Sequence, residues 1–258
     1  METLFTAPGV SEWMFLGLAV LSFFTAAFGV VAGLGGGVLL LAVMATIFPP
    51  AALIPLHGTI QAGNNVSRII IMRQHITWSL IPAFALGTVL GAVIGGKIVV
   101  TLPTALLQSV LGFFVLYVCW APKPESHQAF SGPKFFILGA VGTLVSMFVG
   151  ATGTLLAPFA RAATSGRHEY LASHAVMMVL MHGLKLVAFI TLGFSFGAYL
   201  PLLSAMIAMS ALGNLFGQGV LNKLSEKLFH RLFQIALTLL SLRLLYAGLT
   251  GMGYLPKF

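Results

Sequence analysis

The sequence contains no aspartate, a single cysteine and few charged residues of any kind. Acidic and basic residues make up 7% of the 258 residues, whereas 59% are hydrophobic. Soluble domains carry about 25% charged residues, so the composition excludes a water-soluble enzyme or nucleic-acid-binding protein. The lone cysteine, Cys119, excludes an internal disulfide and a cysteine-based metal cluster. What remains is an all-α, polytopic helical membrane protein with almost no domain outside the bilayer.

The charges that are present are mostly positive. Thirteen basic residues stand against five acidic ones, which gives a net charge of +8. In a membrane protein this excess favours basic cytoplasmic loops and a binding site for anions. The first residues, METLFTAPGVSEW, lack the basic region of a cleaved signal peptide, so we expect the first apolar run to remain in the membrane.

Charges, prolines and glycine clusters divide the chain into ten apolar segments. The second and seventh segments are too short to span a bilayer alone, and each follows a glycine-rich break, which predicts broken or re-entrant helices. The segments of the first half are 13–33, 36–48, 51–72, 77–96 and 103–121, and those of the second half are 134–150, 153–163, 170–191, 198–221 and 229–250.

The two halves of the chain resemble each other. Placing AGLGGGVLL over VGATGTLLA aligns Gly36 with Gly153, and the same offset of 117 aligns His57 with His174. It also aligns Asn65 with His182 and Arg68 with Lys185, and later the offset becomes 122, where Gly91 and Gly95 fall on Gly213 and Gly217. We therefore predict a first membrane repeat at 1–122, a cytoplasmic linker at 123–133 and a second membrane repeat at 134–258.

Basic residues in the turns indicate that the repeats are inverted. The turn after segment three is basic in the first half, and the turn after segment four is basic in the second half. With five segments in each half, the positive-inside rule then has one solution, in which both termini face the outside. The outside residues are Lys97 and Lys257, and the inside residues are Arg73, Lys123, Lys134, Arg161, Arg167, Lys223, Lys227 and Arg231.

Segments three and eight each carry a polar stripe. Spacings of four, four and three place the members of each stripe on one helix face. Because no segment contains an acidic residue to pair with the two cations, we expect the stripes to bind an anion inside the bundle. Polar packing between helices and snorkelling of the cations to the membrane surface are the alternatives. The stripes are His57, Gln61, Asn65 and Arg68 in the first half, and His174, Met178, His182 and Lys185 in the second.

The glycine-rich breaks are the second candidate part of the site. Free backbone N–H groups at the start of a helix, together with its dipole, attract anions. Close helix packing through small residues is the competing interpretation. The candidate residues are Gly35, Gly36 and Gly37 in the first break, and Thr152, Gly153 and Thr154 in the second.

The histidines leave three roles open. They could donate hydrogen bonds to an oxyanion, carry a proton, or bind a metal such as nickel, copper or zinc. Metal binding is the weakest of these, because carboxylate and thiolate partners are absent. We therefore predict no catalytic residue, no cofactor and no metal site, and keep a divalent-metal permease that uses the paired histidines as the alternative function.

Three stretches carry a resemblance to a known family. With GVVAGLGGGVLLL, HGTIQAGNNVSR and the small-residue run LGTVLGAVIGGK, the chain resembles the TauE/SafE family of membrane permeases. The resemblance implies a permease, not an enzyme, that moves sulfite or an organosulfonate out across the bacterial inner membrane. The partners it implies are the small anion and membrane lipid, without nucleic acid, and it leaves a homodimer open.

Overall fold

The protein is described by a computed structural model, which covers residues 7–32, 35–99, 103–120, 132–150, 152–220 and 226–256. These residues form ten α-helices joined by turns, and no β-strand occurs within them. The helices are α1 (Glu12–Val31), α2 (Gly36–Met44), α3 (Pro50–Met72), α4 (Ile81–Val99), α5 (Thr104–Trp120), α6 (Gly132–Val149), α7 (Gly153–Ala162), α8 (Arg167–Thr191), α9 (Leu200–Val220) and α10 (Glu226–Gly251).

The helices match the ten predicted segments and confirm an all-α membrane protein. Four stretches, Glu12–Val31, Trp78–Ile98, Arg167–Thr191 and Gly197–Val220, are long and apolar enough to cross a bilayer. Large apolar side chains such as Phe24, Phe113 and Leu239 are more than 60% exposed, as expected for a surface that faces lipid. Most of the predicted linker at 123–133, with Lys123, lies outside the described residues, as do Gly33, Lys223 and Lys257.

Helix packing follows the same order in the two halves. Helix α1 packs against α9 and α6 packs against α4, while α3 and α8 pack against each other at the centre. Likewise α3 contacts α9 and α8 contacts α4, and α5 pairs with α10. When every helix is replaced by its counterpart five positions away in the chain, the α1–α9 and α4–α6 pairs exchange, as do α3–α9 and α4–α8. The α3–α8 and α5–α10 pairs each become themselves.

Glycines allow close approach at two matching helix crossings. A Cβ on Gly91 would collide with the carbonyl oxygen of Ala140, and one on Gly213 would collide with that of Phe23. The two glycines are 122 residues apart and their two partners are 117 apart, the offsets that align the halves in sequence. The α4–α6 and α1–α9 crossings therefore use equivalent residues.

The short helices α2 and α7 lie inside the bundle. With nine residues, α2 is about 14 Å long, less than half of the apolar thickness of a bilayer. Leu40, Leu41 and Met44 of α2 are buried in one apolar cluster, and Leu156 and Ala160 of α7 are buried in another. Both helices begin in the interior of the protein, which places their N-terminal N–H groups there as well.

The first break depends on glycine for two separate reasons. Gly35 has a φ of 96°, in the left-handed region that favours glycine. Gly36 starts α2 directly against α1, where a Cβ would overlap the carbonyl oxygen of Thr25 and lie 3.2 Å from the nitrogen of Gly29. The close crossing of α1 and α2 therefore leaves no room for a side chain at this position.

We expect Gly36→Ala to destabilise the protein. The new methyl group would push α2 away from α1, and overpacking of this kind costs about 1–3 kcal/mol. Thermal unfolding in detergent measures the effect, with Gly17→Ala as the control because nothing lies within 4 Å of a Cβ there. Equal melting temperatures for the two variants would contradict the proposed packing.

Candidate functional site

A cavity of about 60 Å³ lies where the short helices begin, between α3 and α8. Its walls come from both halves of the chain and combine polar side chains with glycine backbone. The lining residues are Thr25, Gly29, Gly35, Gly36, Gly37, Val38, Gln61, Asn64, Asn65, Arg68, Gly153, Thr154, His174, Met178 and His182.

The structure brings ten of the thirteen candidate site residues to this cavity. Three others are not among the lining residues: His57, Thr152 and Lys185. Thr152 is fully buried and donates from its hydroxyl to the carbonyl oxygen of Gly142, 3.2 Å away. The ten that line it are Gly35, Gly36, Gly37, Gln61, Asn65, Arg68, Gly153, Thr154, His174 and His182.

Both short helices present their N-terminal turns to the cavity. Residues 36–38 of α2 and residues 153–154 of α7 line it. The first N–H groups of a helix have no acceptor within that helix, and the helix dipole makes this end positive. Two such ends therefore meet at one small cavity, which favours a negatively charged occupant.

Two histidines hold the starts of the short helices in place. The Nε2–H of His57 on α3 donates to the carbonyl oxygen of Gly37 at 2.9 Å, and that of His174 on α8 donates to Gly153 at 2.9 Å. The aligned histidines thus make equivalent bonds. The two histidines are 117 residues apart, whereas the glycines that accept their hydrogen bonds, Gly37 and Gly153, are 116 apart. The alignment of the two breaks is therefore shifted by one residue relative to that of the histidines.

Arg68 is the cation of the cavity. Its side chain is 6% exposed, and its Nη2 donates to the Oδ1 of Asn214 on α9 at 3.3 Å, while its Nε has no hydrogen-bond partner among the described residues. It also lies against Gly29 of α1, where a Cβ would be 3.2 Å from Nη2. The sequence has no acidic residue between Glu12, the first residue of α1, and Glu125, so the interior of the helices in this half of the chain offers no acidic partner.

Amide side chains fix the position of Arg68. The Nδ2 of Asn214 donates to the backbone and side-chain oxygens of Asn64 at 2.9 and 2.8 Å, and to the hydroxyl of Ser67 at 2.7 Å. Asn64 in turn donates to the Oε1 of Gln61 at 3.1 Å. Asn64 is a polar residue of the same segment that falls outside the spacing of four, four and three, so it was not among the predicted site residues. Asn214 was not predicted either, because it contacts the stripe only in the folded protein.

We expect Asn214→Leu to lower the free energy of unfolding. Leucine removes the donor for Asn64 and Ser67 and the acceptor for Arg68, and an unpaired buried polar group costs about 1–3 kcal/mol. Ser204→Ala, an exposed position on the same helix, is the control. Chemical unfolding in detergent should separate the two variants, and equal stability would mean that this network contributes nothing to folding.

Lys185 is completely buried but is not among the residues that line the cavity. Its Nζ lies 3.1 Å from the carbonyl oxygen of Gly150 and 3.2 Å from the hydroxyl of Ser146, at the end of α6. A cation at this end of a helix is favoured by the dipole. Ser146, near the end of α6, is 117 residues from Gly29, near the end of α1, and Gly29 is the residue next to Arg68. The aligned cations Arg68 and Lys185 therefore lie at equivalent helix ends. They differ in that Arg68 lines the cavity and Lys185 does not.

Several polar atoms of the cavity lining are buried without a hydrogen-bond partner. Within the described part of the chain these are Arg68 Nε, Thr154 Oγ1, His174 Nδ1 and His182 Nδ1. Buried polar atoms are nearly always paired in folded proteins, and each that is not costs about 1–3 kcal/mol. Their concentration around one cavity is typical of a binding site for a polar ligand.

The alternative of a metal site concerns the histidines near the cavity. Among the residues that the structure describes, no three His, Cys, Asp or Glu side chains converge as metal ligands do. His57 and His174 direct their Nε2 atoms to backbone carbonyl oxygens. Arg68 adds a positive charge to the cavity, which repels a metal cation.

A small polar cavity with a buried cation, enclosed by the broken helices of a membrane bundle, is characteristic of a membrane transporter. The family model for the sulfite exporter TauE/SafE matches residues 18–244. The chain therefore belongs to the TauE/SafE family, and it is a multi-pass membrane permease. The search of curated proteins and the search of solved structures gave no significant match.

Proposed function

We propose that this protein transports sulfite, or an oxyanion of similar size, across the bacterial inner membrane and that it works as an exporter. The anion binds in the cavity between the starts of α2 and α7, next to Arg68. The observation that carries the proposal is the set of unpaired polar atoms around the buried Arg68, for which the described residues provide an amide oxygen but no carboxylate as partner. An anion supplies both the missing charge and the missing hydrogen bonds.

The size of the cavity favours a compact substrate. One buried water molecule needs about 10–15 Å³ by this measure of volume, so the cavity of about 60 Å³ holds only a few non-hydrogen atoms. Sulfite, with one sulfur and three oxygens, fits this space. A longer organosulfonate exceeds this volume, so part of it would lie outside the cavity or the helix starts would have to move apart.

The matching packing of the two halves suggests how the anion moves. We propose that residues 1–122 and 134–258 are inverted repeats with both termini outside, and that the anion site lies between them. The equivalent crossings at Gly91 and Gly213 and the equivalent histidine bonds support this proposal. Rocking of one repeat against the other would then open the cavity to each side in turn.

Exchange of radiolabelled sulfite tests the proposed function. Purified protein is placed in liposomes loaded with unlabelled sulfite, and the entry of labelled sulfite is compared with that into protein-free liposomes. We expect saturable entry that excess unlabelled sulfite suppresses. Taurine and Ni²⁺ are tested in parallel. Taurine represents an organosulfonate substrate, and Ni²⁺ represents the substrate of a divalent-metal permease.

Saturable sulfite exchange without Ni²⁺ uptake supports the proposal, and equal exchange of taurine would overturn the size argument. Ni²⁺ uptake that survives Arg68→Ala but is lost in His57→Ala and His174→Ala would replace the anion site by a metal site.

A further inference from the structure

We infer that the cavity takes its anion as a monoanion that carries a hydrogen, which for sulfite is hydrogen sulfite, and discriminates against the dianion. The inference rests on the proposed function and specifies the form of the substrate. It follows from the count of positive charges around the cavity and from the kind of hydrogen-bonding atoms that are left unpaired.

The cavity contains one full positive charge. Arg68 is its only lysine or arginine among the described lining residues. Lys185 is not among those residues, and its Nζ is engaged by the carbonyl oxygen of Gly150 and the hydroxyl of Ser146. A monoanion beside Arg68 makes the site neutral, whereas a dianion leaves one negative charge in a low-dielectric interior, which is unfavourable.

The helix starts do not alter this count. The N-terminal turns of α2 and α7 contribute dipoles, whose positive ends lie at the cavity and whose negative ends lie a few turns away, so they add no net charge. Their N–H groups donate to the oxygens of either form of the anion. The difference between the two forms must therefore be recognised by other groups.

His174 offers an acceptor to the anion. Its Nε2–H donates to the carbonyl oxygen of Gly153, so the Nδ1 of the neutral ring carries a lone pair. This Nδ1 is buried and unpaired among the described residues, and so is the Nδ1 of His182 on the same face of α8. A lone pair repels an oxygen that carries no hydrogen, but it accepts a hydrogen bond from a protonated anion.

The other titratable groups near the cavity are not among its described lining residues. Helix α2 has no titratable side chain, and α1, after Glu12, and α9 have none either. The groups on the helices that surround the cavity are His57, Arg68 and Arg73 at α3, Arg161 on α7, and Arg167, His168, Glu169, Tyr170, His174, His182 and Lys185 on α8. Of these, only Arg68, His174 and His182 line it.

Exchange measured at equal pH on both sides of the liposome membrane tests the inference. Sulfite and hydrogen sulfite interconvert near neutral pH, so the fraction of monoanion can be varied across this range while total sulfite is held constant. Methanesulfonate is a monoanion at every pH used but has no hydrogen on its oxygens, so its inhibition of sulfite exchange tests the charge requirement alone. Any change of that inhibition with pH reports titration of the protein itself. Sulfate, a dianion throughout, is the second competitor.

We expect the rate of exchange to fall in proportion to hydrogen sulfite as the pH rises, with methanesulfonate inhibition unchanged and sulfate without effect. A rate that follows total sulfite, or inhibition by sulfate equal to that by methanesulfonate, would overturn the inference while leaving sulfite transport established. Absence of sulfite exchange at every pH would instead reject the proposed function itself.

Discussion

Arg68→Ala is expected to weaken the binding of sulfite strongly. The guanidinium is the only full positive charge of the described cavity lining, and removing one partner of a buried ionic contact costs about 2–5 kcal/mol. This corresponds to a loss of affinity of about 30-fold or more. Equilibrium binding of labelled sulfite to the purified protein measures the effect directly.

The matched control is Arg243→Ala. Arg243 is also a cation in a membrane helix, but its side chain is exposed on α10. We therefore expect Arg243→Ala to bind sulfite with unchanged affinity. Arg68→Gln is a second variant, because its amide keeps a donor near Asn214 and so preserves folding better than alanine does. A folded Arg68 variant that binds sulfite as tightly as the unmodified protein would remove Arg68 from the site.

Lys185→Met is expected to have a large effect on stability instead of affinity. Methionine fills the same volume but leaves the carbonyl oxygen of Gly150 and the hydroxyl of Ser146 without their donor. Each buried acceptor left unpaired costs about 1–3 kcal/mol, and α6 also loses the cation at its C-terminal end. Thermal unfolding of the purified variant measures the loss.

Lys185→Gln restores an N–H donor without the positive charge, so we expect it to recover part of the stability. Sulfite affinity of both folded variants should stay within about tenfold of the original, since Lys185 does not line the cavity. A Lys185→Met protein of normal stability whose affinity falls as far as that of Arg68→Ala would assign Lys185 to the anion.

Much of the fold could be predicted because its causes are local. Runs of apolar residues, ended by glycine, proline or charge, determine where each helix begins and stops, and the breaks at Gly35 and Gly150 both contain a glycine with positive φ. The equivalence of Gly91 and Gly213 was visible as an alignment. That both pack against a carbonyl oxygen, from Ala140 and Phe23 respectively, depends on which helices meet, and no local pattern reveals that.

The site was predictable to the extent that helical spacing determines it. The stripe from Gln61 to Arg68 reaches the cavity because its members share one face of α3, and the same argument holds for His174 and His182 on α8. Lys185 continues that face, but its long side chain reaches the end of α6 instead. Asn214 is added by α9, a helix from the other half of the chain, and its role arises only in the folded protein.

The most direct test of the anion site is to locate a bound oxyanion. Selenite has the shape and charge of sulfite, and its selenium gives an anomalous signal in crystals of the protein, once competition with labelled sulfite has shown that it binds. We expect one peak within hydrogen-bonding distance of the Arg68 guanidinium, between the starts of α2 and α7. A peak elsewhere in the bundle, with this cavity empty in a protein that exchanges sulfite, would contradict it.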